Sequence, residues 1–170
     1  MTSTIYRIDG PWPGRLAIIA RPRGHEWLED EIKDLTLSGI EVVVSLLTDE
    51  ENNDLGLNAE AKTAEQHGLR FISFPINDYS VPASSEALFG LVTKLDDLLT
   101  RGQAIGIHCR QGIGRSSVVA ACVLSLSIEN IDECFRQISD ARGTAVPDTV
   151  EQRNWVWSFA RAFTSQSITE

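Results

Sequence analysis

One window of the chain gathers a thiol, two glycines, two arginines and two hydroxyls: His108-Cys109-Arg110-Gln111-Gly112-Ile113-Gly114-Arg115-Ser116-Ser117. Glycines let a backbone curl so that successive N–H groups converge on one point, which makes a nest for an anion. A helix starting near Ser116 would add the positive end of its dipole. Arg115 offers a planar fork of donors suited to two oxygens of an oxyanion. Cys109 would lie at the base of this cradle. Donors that attract an oxyanion also favour a thiolate, so the window predicts a sulfur nucleophile already ionised at neutral pH.

The elements around this window must place it at the edge of a sheet. Leu16–Ala20, Val42–Leu47, Phe71–Pro75 and Ala104–His108 are short apolar runs without alternation, the pattern of parallel strands covered on both faces. Helical runs separate them: Trp27–Leu37, Ala59–His67 and Ser85–Thr100, the last with Leu88, Leu91, Val92, Leu95, Leu98 and Leu99 on one face. Ser84 suits its N-cap and Gly102 its end. Three further helices are expected over Ser116–Ser127, Ile131–Ala141 and Pro147–Phe163, with Pro147 at the first helical position. This alternation predicts an α/β fold: a single domain over residues 1–170, with a central, mainly parallel sheet of four or five strands and helices on both faces. Residues 164–170 read as a flexible tail. In such sheets the loops after the strands' C-terminal ends form the binding crevice.

The window His-Cys-x5-Arg-Ser resembles the signature of the cysteine-dependent protein tyrosine phosphatases, and the short chain resembles their compact dual-specificity branch. Two further segments carry the resemblance. Phe74-Pro75-Ile76-Asn77-Asp78-Tyr79-Ser80-Val81-Pro82 is similar to the family's general-acid loop, and Val146-Pro147-Asp148-Thr149-Val150-Glu151-Gln152 to the helix whose glutamine positions the hydrolytic water. The resemblance implies Cys109 as nucleophile, Arg115 as phosphate ligand, and Asp78 as general acid and then base. It implies Ser116 as hydrogen-bond donor to the sulfur and Gln152 as the water-positioning residue. Arg110, Gln111, Gly112, Ile113, Gly114 and Arg115 would line the phosphate site, and His108 would support the loop. The implied reaction is hydrolysis of phosphotyrosine esters, and in a shallow pocket phosphoserine and phosphothreonine esters, through a cysteinyl-phosphate.

Other readings of these residues compete. Asp78 before Tyr-Ser in a proline-bounded loop is also an ordinary turn residue, and Asp49, Glu50 and Asp54 on another loop are alternative acids. Gln152 read without the resemblance is a solvent-facing helix residue. Cys122 and Cys134 fall among apolar residues and are expected in the core, and the sequence establishes no disulfide between either and Cys109. Arg21-Pro22-Arg23-Gly24 follows the first strand, so Arg21 and Arg23 are candidates for contact with an acidic part of the substrate. A phosphatase of phosphoinositides or RNA 5′-phosphates is the alternative activity, although the loop interior carries no lysine. A phospho-binding module without catalysis is a third, and such relatives usually lack the Cys, Arg or Asp.

Composition narrows the choice. The 170 residues carry 15 Lys and Arg against 24 Asp and Glu, a net charge of −9, with a pI near 4.8. A nucleic-acid partner would call for a basic face, so none is expected. The longest stretch without a polar residue, Val118–Leu124, is far short of the ~20 residues needed to span a bilayer, and no membrane association is expected. Three cysteines without a CxxC pair, and no export signal at the N-terminus, suit the cytoplasm. His25 and His67 lack ligand-like partners, so neither metal nor cofactor is expected. The expected partner is a phosphorylated protein, met by a monomer.

Overall fold

A computed structural model describes residues 3–167. Its five strands are β1 (Ile5–Ile8), β2 (Arg15–Ile19), β3 (Val42–Ser45), β4 (Arg70–Ser73) and β5 (Ala104–His108). They form one sheet in the order β1-β2-β5-β3-β4. β2, β5, β3 and β4 are mutually parallel, with Leu16 opposite Ile105 and Val44 opposite Ile107. All four therefore deliver their C-terminal ends, and the loops that follow, to one edge.

β1 joins antiparallel at the rim, pairing Ile5 with Ile19. It is not among the strands expected from the sequence. Its residues are mostly half-exposed and only Ile8 is buried, so it carries no apolar run.

Side chains alternate across the sheet into two cores. Ile18, Val44 and Ile107 face the larger core, which α4 (Ser85–Thr100), α5 (Arg115–Leu124), α6 (Ile131–Arg142) and α7 (Val150–Ser167) cover. Ile19 and Val43 face the smaller one, under α1 (Leu28–Leu37) and α3 (Glu60–Gln66). All residues of α5 are buried, so the helix that follows the signature window is fixed on every side. Cys122 and Cys134 lie in the larger core as free thiols. Burial pushes Cys122 well above the ordinary thiol range and Cys134 to about 11, which leaves both un-ionised and unreactive at neutral pH.

Two expectations need correction. The acidic stretch expected as a loop, Asp49–Asp54, lies within helix α2 (Asp49–Leu55). Thr48 Oγ1 accepts from Glu51 N while Glu51 Oε2 accepts from Thr48 N, a reciprocal cap that starts the helix despite its few apolar residues. The last helix starts at Val150 rather than Pro147. Thr149 Oγ1 accepts from Gln152 N, and Gln152 Oε1 accepts from Thr149 N, so a second cap of the same kind sets the start three residues later. α7 runs on to Ser167, past the expected boundary at Phe163. The remainder of the expected tail, residues 168–170, lies outside the described residues.

Candidate active site

Cys109 is the first residue after β5 and is buried at the floor of the window. Its Sγ accepts a hydrogen bond of 3.2 Å from Gly112 N. Gly112 has φ +70°, the left-handed conformation a glycine adopts without strain, and this turns its amide back onto the sulfur. A Cβ on Gly114 would meet Asp148 Oδ2 at 2.2 Å, so a side chain there would have to displace Asp148.

Arg115 begins α5 and is almost wholly buried, at 1% exposure. Its Nη1 donates to Glu51 Oε2 (2.7 Å) and Ile76 O (2.8 Å), and its Nη2 donates to Glu51 Oε1 (2.8 Å). Asp78 Oδ1 lies 3.0 Å from Nη2. Nε is buried with no hydrogen-bond partner. The guanidinium is thus anchored along its Nη1–Nη2 end, and Nε is the donor left without a partner. Burial works against its charge. The hydrogen bond to Glu51 and the charges of Cys109, Glu51 and Asp78 outweigh that and hold it protonated beyond its ordinary range.

Glu51 is a site residue the sequence reading passed over. Burial alone would raise its carboxyl, but Arg115 and the Thr48 donors bring it below the usual carboxylate range. A carboxylate depressed in the folded state adds stability that is present above its unfolded value and is lost as pH falls through the folded one. Glu51→Gln should therefore destabilise the protein by about 3 kcal/mol at pH 7, since it strips one partner from a buried ion pair. The deficit should shrink as pH falls below 4. Urea denaturation of both proteins at the two pH values measures it, and a deficit independent of pH would contradict the assignment.

The window is braced from outside. His108 is fully buried, with Nδ1 at 3.3 Å from Cys109 O and Nε2 at 2.6 Å from Glu60 Oε1. Arg21 Nε donates to Arg110 O at 3.3 Å, which places the loop after β2 on the face expected for it. Arg23 turns away, pairing with Glu31 at 2.8 Å and lying over the Trp27 ring. Arg110 itself is exposed, with Nη1 3.8 Å from Glu51 Oε1.

Gln152 is fully buried, which overturns its reading as a solvent-facing residue. Its Oε1 accepts from Asp148 N (3.0 Å) and Thr149 N (3.2 Å), and its Nε2 donates to Ser80 O (3.0 Å). One amide thus ties the start of α7 to the loop that carries Asp78. The hydrogen bond expected from Ser116 to Cys109 is not formed. The Gly112 amide is the donor to that sulfur, and the Ser116 hydroxyl is buried without a partner. Asp148, also passed over, packs against Gly114. Burial and the charge of Asp78 raise its carboxyl, with Arg115 opposing. Asp49, Glu50 and Asp54 have no contact with Arg115, which takes its carboxylate partners from Glu51 and Asp78. Among the described residues no three His, Cys, Asp or Glu side chains group as metal ligands.

A buried sulfur that accepts a loop amide, close enough to feel the charge of an arginine whose Nε has no partner, suits a tetrahedral oxyanion. The family described as Tc-R-P, polymorphic toxin system, DSP-PTPase phosphatase matches residues 17–128, which include the whole window. The chain belongs to this family. It is a member of the cysteine-dependent, dual-specificity-like phosphatase superfamily, as the signature implied. Cyclin-dependent kinase inhibitor 3 of Rattus norvegicus is 26% identical over 134 residues, covering 78% of this chain and 63% of that protein. The chain thus spans under two thirds of the length of that relative. A crystal structure of kinase associated phosphatase, with serine in place of its catalytic site cysteine, superposes with a TM-score of 0.87 at 20% identity over 96% of this chain and 97% of that one. Tk-PTP in its active form gives 0.75 at 26% identity over 92% and 96%. The fold is that of these phosphatases.

Proposed function

We propose that the protein is a phosphoprotein phosphatase that hydrolyses phosphotyrosine, and also phosphoserine and phosphothreonine esters, through a cysteinyl-phosphate. The observation that carries the reading is the Arg115 guanidinium. It is buried, held by Glu51 at one end, has an unpartnered Nε, and lies close enough to Cys109 to feel its charge. Family membership supports the same reading.

In the first step the Cys109 thiolate attacks phosphorus in line with the leaving oxygen. The P–O bond breaks, and protonated Asp78 gives its proton to the departing phenol or alcohol. Arg115 Nε and Nη2, with the loop amides, hold the equatorial oxygens where charge accumulates. Asp78 moves from Arg115 Nη2 to the leaving oxygen as the ester enters. In the second step water attacks the cysteinyl-phosphate and Asp78 takes its proton. The P–S bond breaks, and inorganic phosphate and thiolate are released. Gln152 Nε2 spends one proton on Ser80 O and keeps the other for that water. Leaving a buried hydroxyl unpartnered costs about 1–3 kcal/mol, so the Ser116 hydroxyl is held in reserve for the sulfur that departs in this step. The His108–Glu60 pair fixes the strand end from which Cys109 projects.

The loop interior carries Gln111, Gly112 and Ile113, which favours a protein ester over a polyanionic headgroup. A panel of phosphotyrosine and phosphothreonine peptides, a phosphoinositide and an RNA 5′-phosphate tests this. The highest kcat/KM is expected on phosphotyrosine, and a preference for the lipid or RNA would overturn the substrate class.

Asp78→Ala should lower kcat/KM, which reports the first displacement and not the hydrolysis of the cysteinyl-phosphate, by about 10²–10⁴-fold on substrates with poor leaving groups and by much less on p-nitrophenyl phosphate. An equal loss across leaving groups would move the acid role elsewhere, and Asp148 is the neighbouring carboxyl.

A further inference from the structure

We infer that Arg142, at the C-terminal end of α6, is a positioning residue that sets the direction of the phosphate-loop amides from outside the loop. The inference rests on the phosphatase reading and extends its machinery to an element beyond the signature window. Arg142 Nε donates to Gly112 O at 3.1 Å and Nη2 donates to Gln111 O at 3.0 Å. Its guanidinium lies 4.2 Å over the Tyr6 ring of β1, a second contact that holds it in place. The chain carries 24 Asp and Glu, yet among the described residues no carboxylate pairs with Arg142. A cation at a helix C-terminus would ordinarily cap its own last carbonyls. Here Gly143 N closes the helix on Ser139 O, and Arg142 reaches across to another element.

The consequence follows from peptide planarity. In a trans peptide the C=O and the following N–H point in opposite directions. Holding Gln111 C=O outside the loop directs Gly112 N–H inward, and that amide is the one that donates to Cys109 Sγ at 3.2 Å. Holding Gly112 C=O outside directs Ile113 N–H the opposite way, into the ring that must grip the phosphate. A positive charge on the two carbonyls also polarises both amides in the direction an oxyanion needs. Without the clamp, a loop containing a glycine at φ +70° has a low barrier to turning these peptides over, because glycine tolerates either sign of φ.

Three proteins test it: wild type, Arg142→Ala and Arg142→Lys. Each is measured for kcat/KM on aryl phosphates with good and poor leaving groups, for competitive inhibition by inorganic phosphate, and for thermal midpoint. Arg142→Ala should lose about 10–100-fold in kcat/KM, equally for all leaving groups, since misaimed amides weaken the grip on equatorial oxygens. Its inhibition constant for inorganic phosphate should rise in parallel. Arg142→Lys keeps the charge and one donor and should recover part of both losses. Two results would overturn the inference. One is a lower thermal midpoint in Arg142→Ala with unchanged phosphate inhibition and kcat/KM. The other is a loss confined to poor leaving groups, which would place Arg142 behind the acid. Failure of the phosphatase reading looks different: wild type would bind phosphate without turnover, and the clamp would still be read from the phosphate affinity of the two variants.

Discussion

Cys109→Ser loses about 10⁶-fold in kcat on every aryl phosphate, the scale seen when a hydrolase loses its covalent nucleophile. The sulfur is buried, lies at the end of a parallel strand, and already accepts the Gly112 amide. A serine oxygen fits the same space but is a far weaker nucleophile without an adjacent base, and the ring around it supplies none. Arg115 and the loop amides are unchanged in the variant, so a phosphotyrosine peptide should still bind with the wild-type dissociation constant within a few-fold. Stopped assays for turnover and calorimetry for binding give the two readings. Wild-type turnover no higher than that of Cys109→Ser would turn the site into a phospho-binding module.

Arg115→Lys keeps a cation and still loses about 10³-fold or more in kcat, the low end of what a transition-state arginine contributes to phosphoryl transfer. The reason is the division of labour along the guanidinium. Nη1 is committed to Glu51, Ile76 O and Leu46 O and Nη2 to Glu51 and Asp78, while Nε has no partner and Nη2 joins it on the substrate once Asp78 moves to the leaving oxygen. A lysine ammonium is a single point of charge. It can answer Glu51 or the phosphate, and the buried carboxylate, fixed by Thr48, is the nearer claim. A loss of less than tenfold, with the thermal midpoint unchanged, would mean that the fork does not grip the transition state.

The residues legible in the sequence share one property: their chemistry is local. Cys109, the glycines and Arg115 occupy a single strand–loop–helix junction, and local spacing is what a sequence displays. The parallel strands were legible for the same reason, since burial on both faces leaves unbroken apolar runs. α2 and the start of α7 were missed although a signal was present. Thr48-x-x-Glu51 and Thr149-x-x-Gln152 are both capping boxes, and reading them as such would have found each helix. The third helical residue of each box turned out to serve the site, Glu51 by anchoring Arg115 and Gln152 by tying down the Asp78 loop at Ser80. Glu60, Arg142 and Asp148 carried no signal, because each acts across a long chain separation on a neighbour that only the folded sheet brings near. Arg23 shows the complementary case. Its loop position was legible, but the Glu31 and Trp27 that claim it belong to another turn and helix.

A covalent phosphate on the Cys109 sulfur can be looked for chemically. Asp78→Ala slows the second step by removing its base, so mixing this variant with p-nitrophenyl phosphate and quenching rapidly in acid should trap the intermediate. A burst of p-nitrophenol approaching one equivalent per chain is expected, with phosphate recovered on the peptide that contains Cys109. Turnover with no burst and no phosphorylated peptide, or with the phosphate on a different residue, would contradict a cysteinyl-phosphate intermediate.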